Sequence, residues 1–266
     1  MKISIFTSMT NPEERGDPWK EALNCYKDIA DEVVIVGQDW PQEFKFSYIG
    51  EVFQEGFDKS TGDWVIHMDI DNFFHEKDME LLINTLKQNS DLPTITFPKY
   101  QIFTPDRFHH KANMCIALNK KLNPNILMNG GGDLCQPTIN GVLLAPEKYP
   151  LFNIPIWNYD SVFKDKEIIK KDRGRFARAW FSEFGEWGDR GGNTDELAYD
   201  AWFSMVKKRY AKHINLLTID QHPKYIQEKL YNIKPDQFGF NAFGLKDTIK
   251  KSKLEYLKRF KNHLIK

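Results

Sequence analysis

The sequence lacks several features that mark particular classes of protein. Its three cysteines, Cys25, Cys115 and Cys135, cannot all pair with one another and show no C-x-x-C spacing, which favours reduced thiols over a zinc site or a redox motif. No window holds the roughly 20 apolar residues that cross a bilayer, and no basic, apolar leader is present, so we expect a cytoplasmic protein. The 37 basic and 37 acidic residues balance, so no general affinity for nucleic acid is indicated.

Motifs of three common enzyme classes are also missing. The sequence contains no G-x-G-x-x-G, no G-x-x-x-x-G-K-[ST] and no G-x-S-x-G. Dinucleotide-binding, P-loop and nucleophile-elbow chemistry are therefore not indicated. We also find no internal repeat and no low-complexity tract.

The composition is that of a globular domain with one unusual end. Hydrophobic residues make up 41% and charged residues 28% of the 266 positions, which is enough for a substantial core. The charge is uneven, because residues 246–266 hold eight Lys and Arg side chains against two carboxylates, a net charge of +6. We therefore predict one domain over residues 1–245 and a basic C-terminal helix over residues 246–266.

Apolar runs alternate with amphipathic stretches in the first third of the chain. This alternation predicts β-α-β units, and hence an α/β fold with a mostly parallel sheet flanked by helices. Predicted strands cover residues 3–7, 32–36, 64–68, 94–97, 139–144 and 214–219. Predicted helices cover residues 19–29, with Asp17 as N-cap, and residues 52–59, 76–88, 196–212 and 246–264. Residues 123–132 are predicted as a turn-rich loop, and residues 154–172 give mixed signals.

An aspartate pair follows the third predicted strand. Asp69 and Asp71 stand where that strand ends, at the sheet edge where α/β folds bind ligands. Residues two apart in extended chain face the same way, so both carboxylates can address one cation. Carboxylate oxygens suit Mg²⁺ or Mn²⁺, which also bind a diphosphate. A D-x-D pair alone also occurs in surface turns, so its context matters.

The residues before this pair resemble a known family. Residues 57–71, FDKSTGDWVIHMDID, resemble the stretch of family 2 glycosyltransferases in which a helix end, Gly-Asp-Trp and an apolar strand precede D-x-D. The order of predicted elements in residues 3–39 is similar to the nucleotide-binding half of that family. The resemblance implies a GT-A (Rossmann-like) fold, a nucleoside-diphosphate sugar as donor, with UDP-sugar as the first expectation, and Mn²⁺ or Mg²⁺. It divides the domain into a nucleotide-sugar-binding half (1–100) and an acceptor-binding half (101–245).

The resemblance also implies binding roles outside the aspartate pair. In the family, the loop after strand one and an acidic residue after strand two contact the base and ribose, which implies Thr7 and Asp39 here. Asp39 lies in Gly-Gln-Asp-Trp instead of the usual Asp-Asp-x-Ser, and a solvated turn aspartate is the alternative. Many GT-A enzymes place a histidine as third metal ligand after a late strand, which implies His222 beside Asp69 and Asp71. A surface histidine or a hydrogen-bonded histidine is the alternative.

A catalytic carboxylate is expected in a later loop. Inverting glycosyl transfer needs a base that takes the proton of the acceptor hydroxyl. Residues 185–196, GEWGDRGGNTDE, look like the glycine-tryptophan loop and acidic pair of many GT-A enzymes, with the order of the pair reversed. This implies Asp195 or Glu196 as the base. Helix capping by Thr194 or Asp195 is the alternative.

The predicted function is therefore a metal-dependent, inverting glycosyltransferase with an unidentified acceptor: a glycan, a lipid-linked glycan, a protein or a modified nucleobase. A sugar nucleotidyltransferase is disfavoured, because residues 8–16 are acidic and poor in glycine. A non-catalytic glycan- or nucleic-acid-binding module on the same fold is the other alternative. Arg107 and Lys111 are candidate diphosphate contacts or solvated charges. Residues 246–266 either pack an apolar stripe on the domain or attract a polyanion or a membrane surface.

Overall fold

The computed structural model describes residues 1–248, which form an α/β fold. The strands are β1 (Ile3–Ser8), β2 (Glu32–Val36), β3 (Trp64–His67), β4 (Asn72–Phe73), β5 (Thr94–Thr104), β6 (Arg107–Asn119), β7 (Leu127–Gly130), β8 (Gln136–Ile139), β9 (Val142–Leu143), β10 (Ile156–Asn158) and β11 (Asn215–Leu216). The helices are α1 (Trp19–Ile29), α2 (Tyr48–Lys59), α3 (Met79–Gln88), α4 (Lys166–Phe184), α5 (Asp195–Tyr210), α6 (Lys224–Tyr231) and α7 (Phe238–Asn241). None of the helices within this range is both long and apolar enough to cross a membrane. Most of the predicted basic C-terminal helix, residues 249–266, lies outside the described residues.

One sheet of eight strands carries the fold. Its order is β2-β1-β3-β6-β5-β10-β4, and β11 pairs with β6. β1 pairs in parallel with β2 and β3, and β5 pairs in parallel with β10, whereas β4 and β6 run against their neighbours. Most strands therefore point the same way, and the predicted mostly parallel sheet flanked by helices is confirmed.

The central strand β3 is buried over its first three residues. Trp64 is 1% exposed, and Val65 and Ile66 are fully buried between helices on the two faces. α2 approaches closely at Gly56, where a Cβ atom would lie 2.3 Å from the ring of Phe6 on β1. This close packing fixes the carboxyl end of β3, from which the aspartate pair projects.

The structure corrects several local predictions. The predicted turn-rich loop at residues 123–132 contains the strand β7, which pairs with β8. Residues 214–219 are not one strand, because only Asn215–Leu216 pairs with β6 and Leu216 is 70% exposed, so no buried face supports an extended run. Residues 139–144 form β9 and the end of β8, joined by a turn in which Asn140 and Gly141 both have positive φ, as in tight hairpins. Asp17 does not cap α1, because its carboxylate binds Arg15 and Lys164.

Candidate active site

The turn that follows β3 is held by the core. The Met68 N–H donates to the Phe6 carbonyl at 3.0 Å, which extends the pairing of β3 with β1 by one residue. The Asn72 N–H donates to the Asp69 carbonyl at 2.8 Å and closes the turn. The buried Tyr26 hydroxyl on α1 lies 2.7 Å from the Asp69 carbonyl and 3.0 Å from the Asn72 carbonyl. The backbone between the two aspartates is therefore fixed by groups from the sheet and from α1.

Asp69 lies between two basic groups. Its Oδ1 atom is 3.4 Å from His67 Nε2, its Oδ2 atom is 3.7 Å from Lys99 Nζ, and Asn72 Nδ2 donates to Oδ2 at 3.1 Å. Burial alone would raise the pKa of the Asp69 carboxyl, but His67 and Lys99 bring it below its ordinary value. The side chain keeps 44% of its surface open. Asp69 is therefore ionised and accessible.

The pKa of the Asp71 carboxyl is shifted in the opposite direction to that of Asp69. Asn158 Nδ2 on β10 donates to its Oδ1 atom at 2.9 Å. Burial, followed by the charges of Asp160 and Asp69, raises the pKa of the Asp71 carboxyl to about 7. Burial is the largest cause, and repulsion from the two aspartates adds to it. A bound divalent cation would relieve this repulsion, so the residues fit such an ion.

The sequence prediction missed a third carboxylate, that of Asp160. It follows β10, and the preceding Tyr159 N–H donates to the Asp71 carbonyl at 3.0 Å, which ties the two strand ends together. Arg173 Nη2 on α4 lies 2.8 Å from Asp160 Oδ2. Burial opposes ionisation, but Arg173, Lys164 and Lys111 hold the pKa of the Asp160 carboxyl well below its usual range. The apolar run ending at Asp160 was the one sequence signal that marked this strand end.

The three carboxylates open into a cavity of about 720 Å³. This volume lies within the range of small-molecule and cofactor sites. The ends of β1, β3 and β10, the strand β6, and the helices α4 and α5 contribute to its walls. The basic side chains lining it are Arg15, Lys99, Lys111, Lys164, Arg173, Arg175, Arg190 and Arg209. A cavity with acidic groups on its floor and many cations on its walls suits a ligand that binds through a metal and carries phosphates.

Four of the charges that line the cavity neutralise one another. Lys164 Nζ lies 3.1 Å from both Asp17 and Asp172, and Arg15 lies 3.1 Å from Asp17 and 2.9 Å from Asp172. Burial lowers the pKa of Lys164, but the two aspartates raise it above its ordinary value. This network connects the loop after β1 to α4. It closes one side of the cavity and leaves its own charges compensated.

The two residues predicted to bind the nucleotide lie beside the cavity. Thr7 is fully buried on β1, and its hydroxyl has no hydrogen-bond partner within residues 1–248. Its neighbours Ser8 and Thr10 line the cavity instead. Asp39 is exposed, and the next residue, Trp40, lines the cavity. The segments around Thr7 and Asp39 therefore lie beside the cavity, but the side chains that line it are those of Ser8, Thr10 and Trp40.

His222 does not reach the aspartate pair in this structure. It is fully buried; its Nδ1 atom lies 2.8 Å from the Tyr159 hydroxyl and its Nε2 atom 2.8 Å from the Pro105 carbonyl. Both ring nitrogens are thus engaged, and neither is available to a metal. This is the hydrogen-bonded alternative considered for this histidine.

Asp195 and Glu196 also lie off the cavity wall. Asp195 Oδ1 accepts from Arg178 Nη1 at 2.9 Å, and Arg178 also pairs with Glu43 at 2.8 Å. The Glu196 side chain is 69% exposed. The Thr194 hydroxyl accepts from the Leu197 N–H at 3.2 Å and so caps α5. In this arrangement Asp195 joins α4 to α5 and Glu196 faces solvent.

The protein supplies few ligands for a metal ion. Within residues 1–248, no three His, Cys, Asp or Glu side chains are grouped so that they could hold one. An ion held by Asp69 and Asp71 would need further oxygens from a substrate or from water. Mg²⁺ is usually held in this way, by one or two carboxylates and substrate phosphates.

Comparisons with known proteins support the glycosyl transfer that the sequence predicts. The model of the family described as "Glycosyl transferase family 2" matches residues 43–138, about a third of the chain, and this range contains Asp69, Asp71, Lys99 and Lys111. The match supports glycosyl transfer. None of the curated proteins matches the sequence.

Two crystal structures of TarS from S. aureus are similar in fold at a low level. TarS 1-349 is 9% identical, with a TM-score of 0.33 over 95% of this chain and 92% of that chain. A second TarS structure is 8% identical, with a TM-score of 0.34 over 93% of this chain and 55% of that chain. At these TM-scores the likeness has no bearing on the substrate.

Proposed function

We propose that this protein is a metal-dependent, inverting glycosyltransferase that uses a nucleoside-diphosphate sugar, with UDP-sugars as the first donors to test. The observation that carries the proposal is the position of Asp69 and Asp71, which project from the end of β3 into a cavity rich in cations. The family match over residues 43–138 supports the same reaction.

Asp69 and Asp71 would hold Mn²⁺ or Mg²⁺, and the ion would supply positive charge to the departing diphosphate. Asn158 holds the Asp71 carboxylate through its 2.9 Å hydrogen bond. The Lys99 ammonium, which is 3.7 Å from Asp69 and largely buried, provides a second, fixed positive charge on the same side. Because these groups are set by the core, they need little rearrangement when the donor binds.

We further propose Asp160 as the carboxylate that accepts the proton of the acceptor hydroxyl. It lines the cavity, and its ion pair with Arg173 keeps it unprotonated at neutral pH. As the acceptor oxygen bonds to the anomeric carbon, the bond from that carbon to the diphosphate breaks and the proton passes to the carboxylate. Asp195 and Glu196 remain the candidates that the sequence favours, and they need a rearrangement of α5 to reach the cavity.

The first prediction tests the cation site with Asp69→Asn and Asp71→Asn. Both changes remove an anionic ligand, so the part of UDP binding that depends on Mn²⁺ should fall by about tenfold or more, and UDP release from UDP-sugars should be lost. Calorimetric titration of UDP with and without Mn²⁺ measures the first effect. Asp91→Asn, at an exposed position outside the cavity, is the matched control. Wild-type metal-dependent binding in both variants would contradict the proposed site.

The second prediction compares Asp160→Asn with Asp195→Asn and Glu196→Gln. Asp160→Asn should bind UDP and Mn²⁺ normally but lose about 100-fold or more in kcat, while the other two stay near wild type. Steady-state kinetics combined with UDP titration separates binding from turnover. A loss confined to Asp195→Asn or Glu196→Gln would return the base to α5. If the wild-type protein binds UDP-sugars without any turnover, a binding module is the better description.

A further inference from the structure

Lys111 and Arg209 are two cavity cations that form no ion-pair contact with the described residues, although Asp160 attracts both at longer range. Most other basic side chains of the cavity have a carboxylate partner: Arg15, Lys99, Lys164, Arg173 and Arg190. Arg175 donates to the backbone carbonyls of Pro41 and Gln42. For Lys111 and Arg209, residues 1–248 provide neither an ion pair nor a side-chain hydrogen bond.

A β-bulge directs Lys111 toward the cavity. On the β5–β6 pair, Lys99 lies opposite Ala112 and Tyr100 lies opposite His110, so Lys111 is the extra residue on β6. In a regular strand, neighbouring residues point to opposite faces. Here both Lys111 and Ala112 line the cavity, because the bulge turns the lysine to the side of its neighbour. The bulge therefore brings to the cavity wall an exposed lysine that has no ion-pair partner within residues 1–248.

Arg209 reaches the same space from α5. Trp202, Met205 and Arg209 follow one another at helical spacing and all line the cavity. Burial, and then the charge of Arg173, lowers the pKa of Arg209; burial, and then the charge of Lys99, lowers the pKa of Lys111. Basic neighbours repel both cations and Asp160 attracts both, but neither forms an ion pair within residues 1–248. An anion from a ligand would stabilise both.

This pair comes from other elements than the donor site, although Lys111 lies near enough to Lys99 and Asp71 for their charges to act on it. The strand ends of β1 and β3, together with Lys99, surround the place where the diphosphate would meet the cation. Lys111 and Arg209 come instead from β6 and α5, in the part of the chain expected to bind the acceptor, although the sequence offered Lys111 as a candidate diphosphate contact. Resting on the proposed function, we infer that Lys111 and Arg209 bind an anionic group of the acceptor, a phosphate or a carboxylate, next to the transferring sugar.

The test uses the full chain saturated with UDP and Mg²⁺, so that the donor site is filled. Inorganic phosphate is then titrated at constant ionic strength, since screening would otherwise change with added salt. Lys111→Met and Arg209→Gln should each weaken phosphate binding by about fivefold or more, because each removes a charge-assisted contact. Lys208→Gln, at an exposed residue of α5 that does not line the cavity, should bind phosphate like the wild type.

Three results would overturn the inference. Phosphate binding that neither variant alters would show that the pair holds no anion. Weaker binding of UDP and Mg²⁺ by the two variants would show that the pair serves the donor diphosphate. A wild-type preference for UDP-glucuronate over UDP-glucose that both variants lose would assign the anion to the donor sugar. Absence of metal-dependent UDP binding in the wild type would instead overturn the proposed function, and the acceptor assignment with it.

Discussion

His213 is a buried side chain without polar partners. It is 1% exposed, its ring stacks on Phe103 with centroids 4.4 Å apart, and within residues 1–248 neither ring nitrogen has a hydrogen-bond partner. Burial, with smaller contributions from His109 and Arg107, lowers the pKa of His213 from 6.5 to about 3. The folded protein thus keeps this imidazole neutral at a pH where the unfolded chain would protonate it.

This shift predicts a loss of stability in mild acid. Between pH 6.5 and pH 3 the unfolded state binds one more proton at this site, so the free energy of unfolding falls as the pH falls through that window. From pH 7.5 to pH 5 the loss from His213 should be about 2 kcal/mol. Urea unfolding of wild type and His213→Phe at both pH values measures it, with the Phe variant losing less. Equal pH dependence of the two proteins would show that the imidazole is not held neutral.

At the scale of elements, local patterns predicted β1, β2, β3 and α1 closely. The strands β1, β2 and β3 are short apolar runs, and α1 has apolar residues at helical spacing, so local sequence suffices for each. β6 was missed because its first half is polar and half-exposed and is extended only by its pairing with β5. α4 was missed because few of its residues are buried, and its aromatic side chain Trp180 packs against Phe46 while remaining partly exposed.

In the candidate site, too, local sequence predicted only the residues that lie close together in the chain. Asp69 and Asp71 are neighbours in sequence at the end of a recognisable strand, so their pattern was visible. Asp160 and Arg209 reach the cavity only because the sheet order places β10 beside β5 and because α5 packs on α4. No local pattern carries that information. For Asp195 the local pattern suggested a role that the structure does not support. Its position at a helix start after a glycine-rich loop predicted a catalytic base, whereas its side chain joins α4 and α5 through Arg178.

The close contact between α4 and α5 allows a test of whether Asp195 joins the two helices. A Cβ atom at Gly174 would lie 1.9 Å from Asp195 Oδ1. Gly174→Ala should therefore destabilise the wild-type protein by about 1 to 3 kcal/mol. In an Asp195→Ala background the same change should be neutral or stabilising by up to about 1 kcal/mol, because Ala is the better helix former. Urea unfolding of the four proteins gives the coupling directly, and an equal effect in both backgrounds would mean that the helices are not in contact there.

At the scale of the whole molecule, the charges are balanced but unevenly placed. The net charge is zero, although residues 246–266 carry +6. Attraction of a polyanion or a membrane surface by that segment stays a prediction from the sequence, as does the division of residues 1–245 into two binding halves. Anion recognition inside the cavity would act at short range and depend less on salt than attraction by an exposed basic segment.

The sheet order also decides where the chain can be cut. Residues 43–138 include β3 and β6 but not β1, which lies between β2 and β3, nor β10, which borders β5. A fragment with these boundaries would expose the backbone edges of β3 and β5 and the apolar faces beneath them, a surface prone to aggregation. We expect it to show no cooperative thermal unfolding when produced alone, in contrast to the full chain. The segment that a family model recognises is therefore only an interior portion of the folding unit.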